Sequence, residues 1–304
     1  MSLSADALVE RRRLKRRLVA WRAGAILALL ALALALLYRL QPLDMLPVGD
    51  HVARVAVSGV IFENGRLEDA LDAVAKNSRA KALIVYVNSP GGSTFGGEAL
   101  YWALRRVGDK KPVVAVIGTL GASAGYMVAT AADRIYARDT SITGSIGVLF
   151  QSAEISGLME KVGVTSQTVT SGALKDEPSL FKGFSPAGRR VMQELVNETY
   201  QWFIDLIVER RKLPRERVLA VADGRVLTGR AALAAGLIDE LGGEREARAW
   251  LDDNRGVDRD LPVRDVRTDG ELWHWREALG EIFGKMMLPE RLTLDGLVSV
   301  WHAD

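Results

Sequence analysis

The chain has 304 residues, 48% hydrophobic and 26% charged, with 40 Lys and Arg against 38 Asp and Glu. That composition excludes a disordered or fibrous chain, and the length gives one large domain or two small ones. There is no cysteine and only three histidines, His51, His274 and His302, which excludes a disulfide scaffold, a thiol nucleophile and cysteine-held zinc and argues against a multi-histidine metal site.

The near-neutral total hides an uneven distribution. Residues 1–22 carry +5 and the remainder −3. From Ala23 to Tyr38 no residue is charged. Leu18–Trp21 and Leu40 extend this apolar stretch toward the roughly 20 residues that a spanning helix needs. Arg22 and Arg39 can snorkel to the interface, where Trp21 and Tyr38 also belong. We read residues 1–22 as a basic cytoplasmic arm and 23–39 as an uncleaved single-pass anchor, with the rest outside by the positive-inside rule. A cleaved signal peptide is the alternative, since Ala31-Leu32-Ala33 would serve as a cleavage site; the apolar run continues past it. The basic charges are accounted for by the membrane, so no nucleic-acid partner is expected.

Residues 40–50, with Pro42 and Pro47, read as a linker. After it, strands and helices alternate, which implies an α/β layered fold. His51–Phe62 alternates and is rich in valine, as a strand is. Leu67–Lys76 follows as a helix. Lys81–Val87 and Pro112–Ile117 are near-continuous apolar runs, as in strands buried on both faces. Gly97–Val107 and Ser123–Ala132 read as helices, Ile146–Phe150 and Thr165–Thr170 as strands, and Ser152–Val162 as a helix between them. Pro186–Lys212 is one long amphipathic helix, followed by shorter ones at Arg215–Val221 and Thr228–Ala235. The last 55 residues differ in kind, holding four of the seven tryptophans and two of the three histidines.

Three glycine-rich segments follow strands: Asn88 to Gly92 (NSPGG), Gly118 to Tyr126 (GTLGASAGY) and Thr143 to Gly147 (TGSIG). Glycines there allow tight turns and close backbone approach to a ligand, and strand carboxyl ends are where α/β folds place sites. Ordinary turn chemistry explains any one of them equally well. Ser123 sits at a strand-to-helix junction within G-x-S-x-G, the nucleophile-elbow pattern, although a serine at a helix start is also a common N-cap. A Ser-His-Asp triad is poorly served, because His51 precedes the domain and His274 and His302 fall in the atypical tail. Lysine is the next candidate base, provided that burial or a neighbouring cation keeps it neutral. Lys175, in the loop Ser171 to Asp176 (SGALKD), is one such lysine; an exposed loop lysine is the other reading. Ser78-Arg79-Ala80-Lys81 also fits S-x-x-K, but the accompanying SDN and KTG motifs are missing.

Taken in order, NSPGG, GTLGASAGYMVATAAD, ITGSIGV, SGALKD and ADGRVLTGRAALAAGLIDELGG resemble the signal peptide peptidase A family of membrane-anchored bacterial serine proteases, in its short form with one catalytic repeat. The resemblance spans about Arg54 to Gly243. It implies a fold of repeated β-β-α units related to Clp protease and the crotonases, with the peptidase domain at 51–243 and an extension at 244–304. It implies Ser123 as nucleophile, Lys175 as general base, the N–H groups of Gly92 and Ala124 as oxyanion hole, and Ser145 as the residue orienting the lysine. It further implies no cofactor, a homo-oligomeric ring, and apolar peptide substrates, chiefly signal-peptide remnants, met on the extracytoplasmic (periplasmic) side of the bacterial inner membrane. One departure is Ala124, where the family usually has glycine. The alanine keeps its N–H but adds a methyl expected close to the scissile position. A crotonase-like acyl-CoA enzyme and a non-catalytic membrane scaffold of the same fold are the competing readings. The tail, with Leu272 to Trp275 and Ile282-Phe283, is expected to pack on a core, lie on the membrane or approach a cleft.

Overall fold

The computed structural model describes residues 49–266 throughout, residues 15, 17–18, 21–22 and 24–32 of the amino-terminal stretch, and the backbone of Leu297–Val300. The chain divides into two units, Met1–Gly49 and Asp50–Asp304. In the first, residues 24–32 are helical and exposed. No helix among the described residues is long and apolar enough to cross a membrane. Residues 23 and 33–39 of the expected anchor lie outside the described residues, as do His274, His302, Leu272 to Trp275 and Ile282-Phe283.

The second unit is built on a mixed sheet. Its long strands are β1 (His51–Ile61), β2 (Ala80–Ser93) and β3 (Val113–Ala122). Shorter ones follow: β4 (Arg134–Ala137), β5 (Ile142–Gly144), β6 (Leu149–Phe150), β7 (Val226–Thr228), β8 (Glu240–Leu241), β9 (Val263–Asp265) and β10 (Leu297–Val300). β9, β1, β2, β3, β4 and β8 run parallel in that order. The helices are α1 (Gly65–Lys76), α2 (Thr94–Gly108), α3 (Ala124–Ala129), α4 (Ser156–Lys161), α5 (Pro186–Arg211), α6 (Arg215–Leu219), α7 (Gly229–Ala235) and α8 (Glu244–Arg255).

The apolar runs are buried on both faces, as their composition requires. Leu83, Val85 and Val87 of β2 and Val113, Ala115 and Ile117 of β3 pack with α1, α2, α3 and α5. Their alternates, Ala82, Ile84, Val114 and Val116, meet Ala247 and Leu251 of α8 on the other side. Each fully buried valine, leucine or isoleucine contributes about 1.5–3 kcal/mol of transfer free energy, so this double-sided core is the main brace of the site.

Two strands run further than their apolar cores. The segments NSPGG and GTLGA, expected to be turns, are continuations of β2 and β3. They stay extended because neighbours pair with them beyond irregularities in register. β3 pairs with β2 up to Ser89↔Gly121, with a shift after Val87. The far end of β2 keeps β1 as a partner through Ile61↔Gly92, while the far end of β3 takes β5 through Ala122↔Gly144. Such bulges bend a strand and re-aim its end, and here they draw the ends of β2 and β3 apart.

The carboxyl end of α3 is held by cations. Arg210 of α5 donates to the carbonyls of Thr130 (2.9 Å) and Ala132 (3.0 Å), and Arg105 of α2 donates to that of Ala131 (3.1 Å). Guanidinium groups there satisfy orphan carbonyls and the negative end of the helix dipole.

Candidate active site

Ser123 joins β3 to α3. Its backbone has φ 57° and ψ −120°, a region sparsely populated by any residue with a side chain, and one that costs on the order of 1–3 kcal/mol. Two bonds keep it there: its N–H donates to Gly144 O (2.8 Å) and its carbonyl accepts from Met127 N (2.9 Å). The residue is buried, and its hydroxyl makes no capping bond to α3. Ser123 therefore occupies the N-cap position of α3 without a side-chain capping bond.

Ser145 lies at the corresponding place on the next strand. The register Ala122↔Gly144 puts Ser123 and Ser145 one step beyond a paired position on adjacent strands. Ser145 is also buried and also left-handed, at φ 50°. What fixes it is ADGRV, which in the sequence is only a marker of resemblance. β7 pairs antiparallel with β5, and Arg225 O accepts the Ser145 N–H at 2.8 Å. Arg225 in turn grips Asp223, and its guanidinium holds that carboxyl down to about 2.

Gly92 lies near the end of β2 against β1, so close that a Cβ there would come within 1.9 Å of Ile61 O. Only glycine fits. Gly125 is similarly constrained, since a Cβ would stand 2.9 Å from Ser89 O. Ala124 is fully buried, and its methyl faces Gly97 of α2, where an added Cβ would sit 3.0 Å from it. The methyl is therefore part of the α2–α3 contact. Gly92 thus lies near the end of β2, while Ser123 and Ala124 follow the end of β3 and Ser145 follows the end of β5.

Lys175 lies in the loop between α4 and α5. It is exposed, its backbone N–H donates to Gly172 O (3.0 Å), and its ammonium has no hydrogen-bond or ion-pair partner among the described residues. The expected strand Thr165–Thr170 does not form, and the helix expected at Ser152–Val162 shortens to α4. The polar TSQTVT sequence presents no apolar face to a neighbour, and all six residues are exposed.

Several positioning residues escaped the sequence reading. Asn88 Oδ1 accepts from Leu120 N (3.2 Å), tying the extension of β2 to that of β3. Thr143 Oγ1 donates to Gly121 O (2.7 Å), and Ser141 Oγ donates to Gly118 O (2.6 Å). Small hydroxyl and amide residues beside strand-end glycines are the only signal that could have marked them.

Comparison with known proteins identifies the family. Residues 105–258 match the model of peptidase family S49, and residues 66–143 match that of Clp protease. The chain is 36% identical over 220 residues to a Synechocystis sp. protein classed provisionally as a protease, covering 72% of this chain and 79% of that one. It is 31% identical over 269 residues to a provisional signal peptide peptidase SppA of Enterococcus faecium, covering 83% and 76% respectively. Serine protease SPPA of Arabidopsis thaliana chloroplasts is 31% identical over 246 residues, which is 80% of this chain but 36% of that longer protein. With a match to half its length and a relative covered over most of its length, the chain belongs to peptidase family S49, as a serine peptidase of the SppA type in its single-domain form.

Proposed function

We propose that the protein is a membrane-anchored endopeptidase that cuts apolar peptides, chiefly signal-peptide remnants, with Ser123 as nucleophile and Lys175 as general base. The observation that carries this reading is the strained, buried Ser123 at the head of α3, its hydroxyl uncommitted to capping, with Ser145, also at positive φ, one step beyond a paired position on the adjacent strand. Strain of this kind collects where a reacting side chain must be aimed.

In the proposed cycle, Ser123 Oγ attacks the scissile carbonyl and its proton passes to the neutral Lys175 amine. The N–H groups of Gly92 and Ala124 hold the resulting oxyanion. Collapse breaks the C–N bond, and the lysine gives its proton to the departing amine. Water, deprotonated by the same lysine, then hydrolyses the ester and restores Ser123. Ser145 orients the amine. Preorganised backbone donors of this kind carry a large share of catalysis in acyl transfer.

A lysine base must be shielded from water to remain neutral. Lys175 is exposed in the single chain, so its cover has to come from elsewhere, which supports a homo-oligomer whose neighbouring copies enclose each site. Exposed Leu158, Val162, Val164 and Val169 on the same segment are suited to such a contact. The apolar stretch from residue 23 to 38, with the basic arm before it, supports the anchor and an extracytoplasmic catalytic unit. The Enterococcus relative's name supports the substrate class.

The test is mass spectrometry of products from a synthetic signal peptide. The wild type should cut it within its apolar region. Ser123→Ala should lower kcat by about 10⁴-fold or more, and Lys175→Ala by about 10²–10⁴-fold, with both variants folded. Unchanged cleavage by either variant would overturn the dyad.

A further inference from the structure

The Glu177 carboxylate is buried, and the peptidase cycle leaves it unused. It lies two residues beyond Lys175, and its side chain is only 4% exposed. Its Oε1 accepts the Ser185 N–H at 3.4 Å, and Lys182 Nζ stands 3.7 Å from the same oxygen. Its Oε2 has no hydrogen-bond partner among the described residues. A buried polar atom left unpaired costs stability, the more so on a charged group, so a carboxylate in this position calls for a role that offsets the cost.

That role follows from what the side chain joins. Ser185 caps α5, its Oγ accepting the Gly188 N–H at 2.9 Å. The carboxylate lies over this first turn, where the positive end of the dipole of a 26-residue helix favours a negative charge. The fit is close: a Cβ on Gly188 would stand 2.6 Å from Oε2 and 2.9 Å from Cγ. On the other side of Glu177 the chain is wound into two successive turns. The Lys175 N–H donates to Gly172 O (3.0 Å), and the Glu177 N–H donates to Leu174 O (3.3 Å). Lys182 also closes the loop through Asp176 at 3.0 Å, but its side chain is 45% exposed, and such pairs hold weakly. Glu177 is thus the buried clasp between the turn that bears Lys175 and the head of α5, a helix rooted in the core by Phe203, Ile204 and Ile207.

We propose that Glu177 is a positioning residue for the general base: it docks the Lys175 turn on the first turn of α5 and so fixes the point from which the lysine amine works. The proposal rests on the reading of Lys175 as base and adds to it a residue and a contact. Lys175 stands on an exposed loop, and a loop held only by its own turns does not keep an amine to the tolerance that proton transfer needs, where a displacement of about 1 Å costs on the order of 10²-fold in rate. The unpaired oxygen marks a side chain kept for placement rather than for stability.

The test is a double-mutant cycle on Glu177 and Gly188, read by turnover of an internally quenched apolar peptide and by hydrogen exchange. Glu177→Ala should lower kcat by about 10²-fold, with KM within about twofold and the melting temperature within about 4 °C of wild type. Gly188→Ala, whose methyl drives the carboxylate off the helix, should lower kcat in the same way even though alanine is the better helix former. Added to Glu177→Ala, it should change kcat by less than about twofold, because no carboxylate is left to displace. Amides of residues 172–177 and of Ser185 should exchange about tenfold faster in both single variants, with those of β1, β2 and β3 unchanged. A Glu177→Ala chain with wild-type kcat, additive effects of the two changes, or unchanged exchange in 172–185 would overturn the proposal. So would a fall in kcat matched by a large loss of melting temperature, which would make Glu177 a packing residue.

The exchange readout separates the proposal from the peptidase reading. No hydrolysis by any form, wild type included, would count against the peptidase reading. Faster exchange confined to 172–185 would still uphold the clasp, and unchanged exchange would remove it.

Discussion

Two serines in left-handed backbone, each with its N–H bonded to a carbonyl from a neighbouring strand or turn, define the site at the scale of residues. Ser123 is held by Gly144 and Ser145 by Arg225. Neither position is one that a serine adopts without a surrounding structure that compels it. If Ser145 orients the lysine, Ser145→Ala should lower kcat by about 10²-fold, the scale of a small misplacement, while leaving KM and the melting temperature near wild type. A parallel fall in stability would instead mark Ser145 as a packing residue. Gly125→Ala should behave in the opposite way. Its new methyl meets the Ser89 carbonyl, a backbone atom that cannot swing aside, so urea unfolding should show a loss of about 1–3 kcal/mol. At this scale the sequence is informative but incomplete. Ser123 stands out by its motif, whereas Ser145 and Lys175 acquire roles only through resemblance. Asn88, Thr143 and Ser141 carry no pattern that separates a positioning hydroxyl or amide from a loop residue.

Among the elements, the strong periodicities translate directly into structure. The valine-rich β1, the apolar cores of β2 and β3 and the long α5 lie where their patterns predict, within a few residues. The glycine segments do not, because strand continuation there depends on pairing. Pro90 and two glycines read as a turn, yet β1 on one side and β10 on the other keep NSPGG extended. Tertiary partners outweigh local propensity at such places. The short strands β4, β5, β7 and β8 were missed for a related reason: two to four residues carry too little periodicity to register. The first turn of α8 offers a measurable element-level signature. Glu246 accepts the Gly243 N–H (2.8 Å), and that bond, followed by Arg245, lowers its carboxyl from 4.5 to about 2. A carboxyl depressed by folding contributes stability above its unfolded value and loses it as the pH falls through the folded one. The melting temperature should therefore decline between about pH 4.5 and pH 2, and Glu246→Gln, which keeps the N3 acceptor, should flatten that decline. An identical acid profile for the two proteins would show that Glu246 is not linked to folding.

For the whole molecule, the α/β class and the peptidase family are legible in five ordered motifs. The assembly of the site is not. Lys175 stands on an exposed segment with no enclosing partner among the described residues, and the strand expected just before it does not form. A sequence signals burial within its own chain by apolar spacing, and residues 165–170, polar but for Val169, carry none. If Lys175 is the base, a neighbouring copy must cover it, and activity should fall on dilution as the assembly dissociates. The central claim is that Ser123 is a nucleophile activated by Lys175. The most direct measurement is the rate at which a serine-reactive phosphonate labels the protein, with the adduct located by peptide mapping. The account predicts an adduct on Ser123, none in Ser123→Ala, and labelling about 10²–10⁴-fold slower in Lys175→Ala. An adduct on any other residue, or a Lys175→Ala chain labelled at the wild-type rate, would contradict it.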